Sequence, residues 1–140
     1  MNTSRLLRLI FAWGCAPALL SAAPVGDGVA DDTAALQQMV NESGSVSLPK
    51  GVYRITETLV VELDRTGFAG FSGDGTTRIV MAGAGPAIRF IGTHGGTAAP
   101  ESVLPPVWER QRTPMVSGIE IVGAHEEADG IEARGTMQLT

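Results

Sequence analysis

The chain has 140 residues, with 10 basic against 15 acidic side chains and a net charge of −5. That length suits one ordinary domain. The acidic balance, with no basic patch to track phosphates, excludes nucleic acid as an expected partner. It argues only weakly against an anionic polymer, because a groove can be locally basic on an acidic protein.

The first segment is apolar. Arg5 and Arg8 sit at the start of the stretch Leu6 to Leu20, and small Ser21-Ala22-Ala23 follow. This is the pattern of a secretory signal peptide over residues 1–23, too short and wrongly flanked for a membrane span. The expected location is secreted, periplasmic or cell-surface, with no membrane partner after cleavage. Without Arg5 and Arg8 the balance becomes 8 basic against 15 acidic residues, or −7. The only cysteine, Cys15, lies in this segment, so the mature chain carries no disulfide. It must be held by burial or by repetitive hydrogen bonding.

A Gly- and Asp-rich loop, Val25 to Asp32, leads into a helix predicted from Thr33 to about Asn41. Asp31 or Asp32 is placed to cap its first turn. Ala35, Leu36, Met39 and Val40 form its apolar stripe, and Gly44 is a natural stop. From Ser45 the period becomes two. Val46 and Leu48 flank Ser47, Pro49-Lys50-Gly51 turns the chain, and Val52, Arg54 and Thr56 alternate with Tyr53 and Ile55. Short apolar runs follow at Thr58 to Leu63, Arg78 to Met81, Ala87 to Ile91, Val116 to Val122 and Gly130 to Arg134. Many short strands with glycine at their boundaries predict an all-β fold.

Spacing separates the kinds of all-β fold. Ile79 to Ile88 is nine positions and Ile119 to Ile131 is twelve, which predicts a repeat of about twenty residues. Ile79, Met81, Ile88, Phe90, Ile119, Ile121, Ile131 and Ala133 share one face, with Val80, Arg89, Glu120 and Glu132 on the other. Two-residue Asn-Gly hairpin turns are missing, which weighs against a meander or sandwich. Residues 92–114 interrupt the pattern with Pro100, Pro105 and Pro106 and then Trp108-Glu109-Arg110-Gln111-Arg112. They read as a loop inserted between Ile91 and Val116, and long loops with aromatic and charged residues often bind.

Gly26-Asp27-Gly28, Asp31-Asp32-Thr33-Ala34-Ala35-Leu36 and Val46-Ser47-Leu48-Pro49-Lys50-Gly51-Val52-Tyr53 together resemble the start of a known architecture. It is the right-handed parallel β-helix of the pectate lyase superfamily, in its pectate-lyase-3, rhamnogalacturonase- and epimerase-like branch. The resemblance covers residues 25–91 well and the later strands loosely. It implies a solenoid entered through a short capping α-helix, in an exported protein that handles acidic, plant or microbial polysaccharide. It also implies that catalytic groups sit in middle coils beyond Thr140, so the chain is expected to be an N-terminal fragment, inactive alone. A lyase would need a base and a cation such as Arg, Lys or Ca²⁺, and a hydrolase would need two carboxylates. A non-catalytic adhesin, tailspike-like module or carbohydrate-binding scaffold is the alternative.

Few residues here invite chemistry. Asp27, Asp31 and Asp32 do not have EF-hand spacing and read as turn and cap residues, so neither metal nor cofactor is expected and Ca²⁺ has no support. Gly73-Asp74-Gly75 reads as a turn, because no Gly-Lys-Ser/Thr follows to make a phosphate loop. His94 and His125 lie in loops without ligand-spaced partners, and Glu126, Glu127 and Asp129 read as an exposed turn. Trp108, Arg110 and Arg112 are the candidate substrate-binding residues. Trp stacks on sugar rings, and Arg pairs with uronate carboxylates through two parallel bonds. The bland alternative is that Trp108 pins the loop to the body of the fold.

Overall fold

The computed structural model describes residues 22–140. Most of the expected signal peptide, Cys15 included, lies outside the described residues. The strands are β1 (Asp27–Asp31), β2 (Ser45–Ser47), β3 (Val52–Ile55), β4 (Leu59–Glu62), β5 (Gly70–Met81), β6 (Gly85–Ile91), β7 (Met115–Gly123) and β8 (Ala128–Arg134). Two helices, α1 (Thr33–Ser43) and α2 (Leu63–Thr66), interrupt them. The fold is mostly β, and all the strand pairs are parallel.

The strands form two sheets. In one, β5 pairs with β2 and β3 on one side and β7 on the other, with β1 beyond β3; in the second the order is β4-β6-β8. Side chains therefore stack in columns across successive rows. Tyr53, Ile79 and Ile121 are in register, as are Leu59, Ile88 and Ile131. Alternation sends one member of each pair inward. Ile55, Leu59, Val61, Phe71, Ile79, Met81, Ile88 and Phe90 are wholly buried in one core. Phe71 and Phe90 meet edge to face there, with centroids 6.3 Å apart and planes at 75°. Outward positions carry charge columns instead. Arg78 lies beside Glu120 at 2.7 Å, and Arg89 pairs with Glu132, which also meets Arg134. Such exposed pairs are worth at most about 1 kcal/mol each.

The steps between paired strands differ from the spacing expected. Tyr53 lies beside Ile79, a step of 26 residues (79 minus 53). Ile79 and Ile88, read above as half a repeat, stand on β5 and β6 in different sheets. Helix α2, between β4 and β5, and the turns between the sheets lengthen this step beyond what strand spacing alone implies. The step from Ile79 to Ile121 grows to 42 (121 minus 79) because the loop of residues 92–114 intervenes.

Helix α1 runs two residues past the expected Asn41 and stops at Gly44, whose φ of 69° lets its N–H return to Val40 O. Leu36 and Val40 point into the core. Gln37 does more than face solvent. Its amide donates to Val60 O at 2.9 Å and accepts from Val60 N at 2.8 Å, taking the place of a neighbouring strand along the free edge of β4. Asp32, expected as a helix cap, turns the other way. It is 2 % exposed, and its carboxylate accepts from Val25 N and Gly26 N, tying the entering chain to the helix start. Asp31 supplies the contact to the first turn, accepting from Thr33 N at 3.0 Å. Gly73-Asp74-Gly75 is a corner within β5 that shifts its register against β7 between Ser72 and Thr77. Asp74 holds that corner by accepting from Thr76 N and both threonine hydroxyls.

Candidate functional site

Residues 92–114 leave the second sheet after β6 and return to the first at β7. Their backbone follows the last row rather than floating free. Gly92 N and His94 N donate to Arg134 O and Gly135 O, and Thr113 N donates to Met137 O. Inside the segment, Pro100–Ser102 form a 3₁₀ turn and Val107–Gln111 a π-helical turn. Val107 and Gln111, four residues apart, share the inner face of that turn, and each is 1 % exposed.

Gln111 is the anchor. Its Oε1 accepts from Thr93 N at 2.8 Å and from the Thr93 hydroxyl at 3.1 Å. Its Nε2 donates to Asp64 Oδ1 at 3.2 Å, reaching across to α2. A buried amide costs free energy unless it is bonded, and this one is bonded at both ends. The turn is therefore fixed at its start and end, and Trp108, Glu109 and Arg110 are left facing outward.

Trp108 is 45 % exposed, and the Arg112 guanidinium carbon lies 4.4 Å from its ring centroid. A cation over the indole face is attracted by the ring quadrupole, by about 0.5–1 kcal/mol at an exposed site. Ala98, Pro100, Val103 and Met137 join Trp108 around a pocket of about 340 Å³. No carboxylate lines it. Among the described residues neither Arg110 nor Arg112 makes an ion pair. The turn thus presents unneutralised guanidinium charge beside an apolar cavity. That combination suits a ligand with an apolar face and an anionic group.

Two of the three expected binding residues, Trp108 and Arg112, come together directly, and Arg110 shares their turn. Val107 and Gln111 also hold the turn, each 1 % exposed. Sequence reasoning missed those two, together with Pro100, Val103 and Met137. The four-residue spacing of Val107 and Gln111 was the available signal. Met137 carried none, since it reaches the pocket through a parallel bridge to Arg112.

The other candidates stay apart. His94 Nε2 donates to Thr97 O, and His125 Nδ1 accepts from Glu127 N, so both serve their own loops. Among the described residues no cluster of His, Cys, Asp and Glu is arranged to hold a metal. Asp27 accepts from Val29 N and Ala30 N, which hold its carboxyl below the usual range. The Thr33 and then the Thr56 hydroxyl do the same for Asp31. No helix among the described residues is long and apolar enough to cross a membrane. No family model, curated protein or solved structure matches this chain.

Proposed function

We propose that the chain forms part of a right-handed parallel β-helix of the pectate lyase type, exported to act on polysaccharide, and that Trp108, Arg110 and Arg112 grip an acidic glycan. The parallel rows and the columns of stacked side chains support the architecture, and parallel crossover connections are almost always right-handed. The N-terminal apolar segment with its small-residue end supports export.

One observation carries the binding reading. The Arg112 guanidinium sits over Trp108 beside an apolar pocket of about 340 Å³, and no carboxylate neutralises it. A uronate ring offers an apolar face to such a wall and a carboxylate to such a cation. The pocket supplies grip and orientation without an acid or base. This favours a binding role for the chain itself, within a lyase, a glycoside hydrolase or a non-catalytic adhesin.

Affinity electrophoresis in polygalacturonate gels tests the reading. Retardation of the wild type, abolished in Trp108→Ala and reduced in Arg112→Ala, is the expected result. Equal retardation of all three refutes the site. Turnover by the chain, measured by unsaturated-product absorbance and by reducing ends, would refute the binding-only role.

A further inference from the structure

The pocket beside Trp108 is poor in hydrogen-bonding groups. Its walls are Ala98, Pro100, Val103, Trp108 and Met137, side chains without a carboxylate, amide or hydroxyl. The indole Nε1–H is the one N–H among them, and no hydrogen bond among the described residues uses it. Two backbone carbonyls of the same loop, those of Ala99 and Pro100, are already engaged. Ser102 N and its hydroxyl donate to Ala99 O, and Val103 N donates to Pro100 O. The pocket thus pairs an apolar lining with one donor, and no side-chain oxygen stands there to accept.

That inventory discriminates between ligand groups. A hydroxyl is donor and acceptor at once, and burying it unpaired costs free energy. A bare uronate can lay its apolar face on the indole, but its edge hydroxyls find no side-chain acceptor in this lining. An ester carries no donor: its carbonyl oxygen only accepts, and its methyl suits an apolar wall. Size points the same way. Ligand pockets usually run to about 300–1,000 Å³, so at about 340 Å³ this one takes a single substituted ring and not a run of chain. The Arg112 guanidinium lies 4.4 Å from the indole centroid but outside the lining, so charge and apolar cavity are held apart.

We propose that the pocket selects an acetyl ester on the acidic glycan. The ligand is a uronate unit O-acetylated on a secondary hydroxyl. Its acetyl methyl packs on Pro100, Val103 and Met137, and the ester carbonyl oxygen accepts from the Trp108 Nε1–H. The uronate carboxylate pairs with Arg112, outside the cavity. This rests on the reading of the Trp108 pocket as an acidic-glycan site and adds a preference for the O-acetylated unit over the bare one.

Titration calorimetry of the full chain with trigalacturonate, and with the same trimer chemically O-acetylated, tests this. The wild type is expected to bind the acetylated trimer about tenfold more tightly. Val103→Thr keeps the shape and adds a hydroxyl, and Met137→Gln adds an amide. Each is expected to bring the ratio of the two affinities to within about twofold. Both side chains are partly exposed, and circular dichroism checks that the variants fold. Arg112→Ala is expected to weaken both trimers and keep the ratio, because both carry the carboxylate. Equal binding of the two trimers by the wild type overturns this inference alone and leaves the Trp108 reading standing. A tenfold preference that survives in both Val103→Thr and Met137→Gln puts the ester elsewhere and overturns it too. If the wild type binds neither trimer, the Trp108 reading fails and this inference with it.

Discussion

Replacing Gln111 by leucine tests how the binding turn is held. The side chain is 1 % exposed and of similar volume to leucine, so little cavity is made. Its partners lose their bonds: Thr93 N and the Thr93 hydroxyl on one side, Asp64 on the other. A bond to a neutral group is worth about 1 kcal/mol net, and one to a charged group about 1.5–3 kcal/mol. Asp64 and Thr93 both reach solvent and regain water, which returns about half of the gross loss. The expected cost is about 2 kcal/mol, or about 8 °C in Tm for a domain of this size. Urea denaturation followed by circular dichroism measures it. A double-mutant cycle with Asp64→Ala should give a coupling of about 1 kcal/mol. A loss under about 0.5 kcal/mol, with no coupling and unchanged Trp fluorescence, would refute Gln111 as the anchor.

Other outcomes follow from the same packing. Phe71→Ala empties a fully buried site and removes the edge contact to Phe90, and should cost about 3–5 kcal/mol in chemical denaturation. Gly118→Ala should destabilise strongly, because φ is 65° and the new Cβ would strike the Gly73 carbonyl; Gly130→Ala, which meets nothing within 4 Å, should be near neutral. Asp31 is held below the usual carboxylate range by the hydroxyls of Thr33 and Thr56. Its stabilisation is therefore complete above the ordinary value, about pH 4, and lost as pH falls through the depressed one. Asp31→Asn should flatten the acid limb of a Tm–pH profile below pH 4 and leave its slope near neutrality unchanged. Arg112→Ala removes the cation from the Trp108 face and should shift the indole emission and its accessibility to iodide.

Much of the fold was legible in the residues. Period-two alternation marked the buried faces of β5 and β6, but in β7 and β8 the expected inward residues are only partly covered and Ile131 is 40 % exposed; Gly44 marked the end of α1. The run Trp108 to Arg112 stood out because aromatic and basic side chains sat in a proline-bounded loop. The repeat length was not legible. Ile79 and Ile88 share a hydrophobic pattern but belong to different sheets, and periodicity carries no label for which sheet a strand joins. The sequence left capping open between Asp31 and Asp32, because a carboxylate beside a helix start can turn to either chain segment. Only the path of Val25 and Gly26 decides between them.

Local order, then, follows from the sequence itself: strand-sized alternation, helix α1 and the turn chemistry depend on neighbours a few residues apart. Tertiary structure decided what depends on distant partners. It set the 26-residue step, laid Gln37 along the edge of β4, and brought Met137 to Trp108. It aligned Ser47, Ser72 and Ser117 as well, although they lie 25 and 45 positions apart (72 minus 47 and 117 minus 72). The physical reason is the parallel pairing. It fixes register between residues far apart in the chain, and nothing in their local sequence records that they meet.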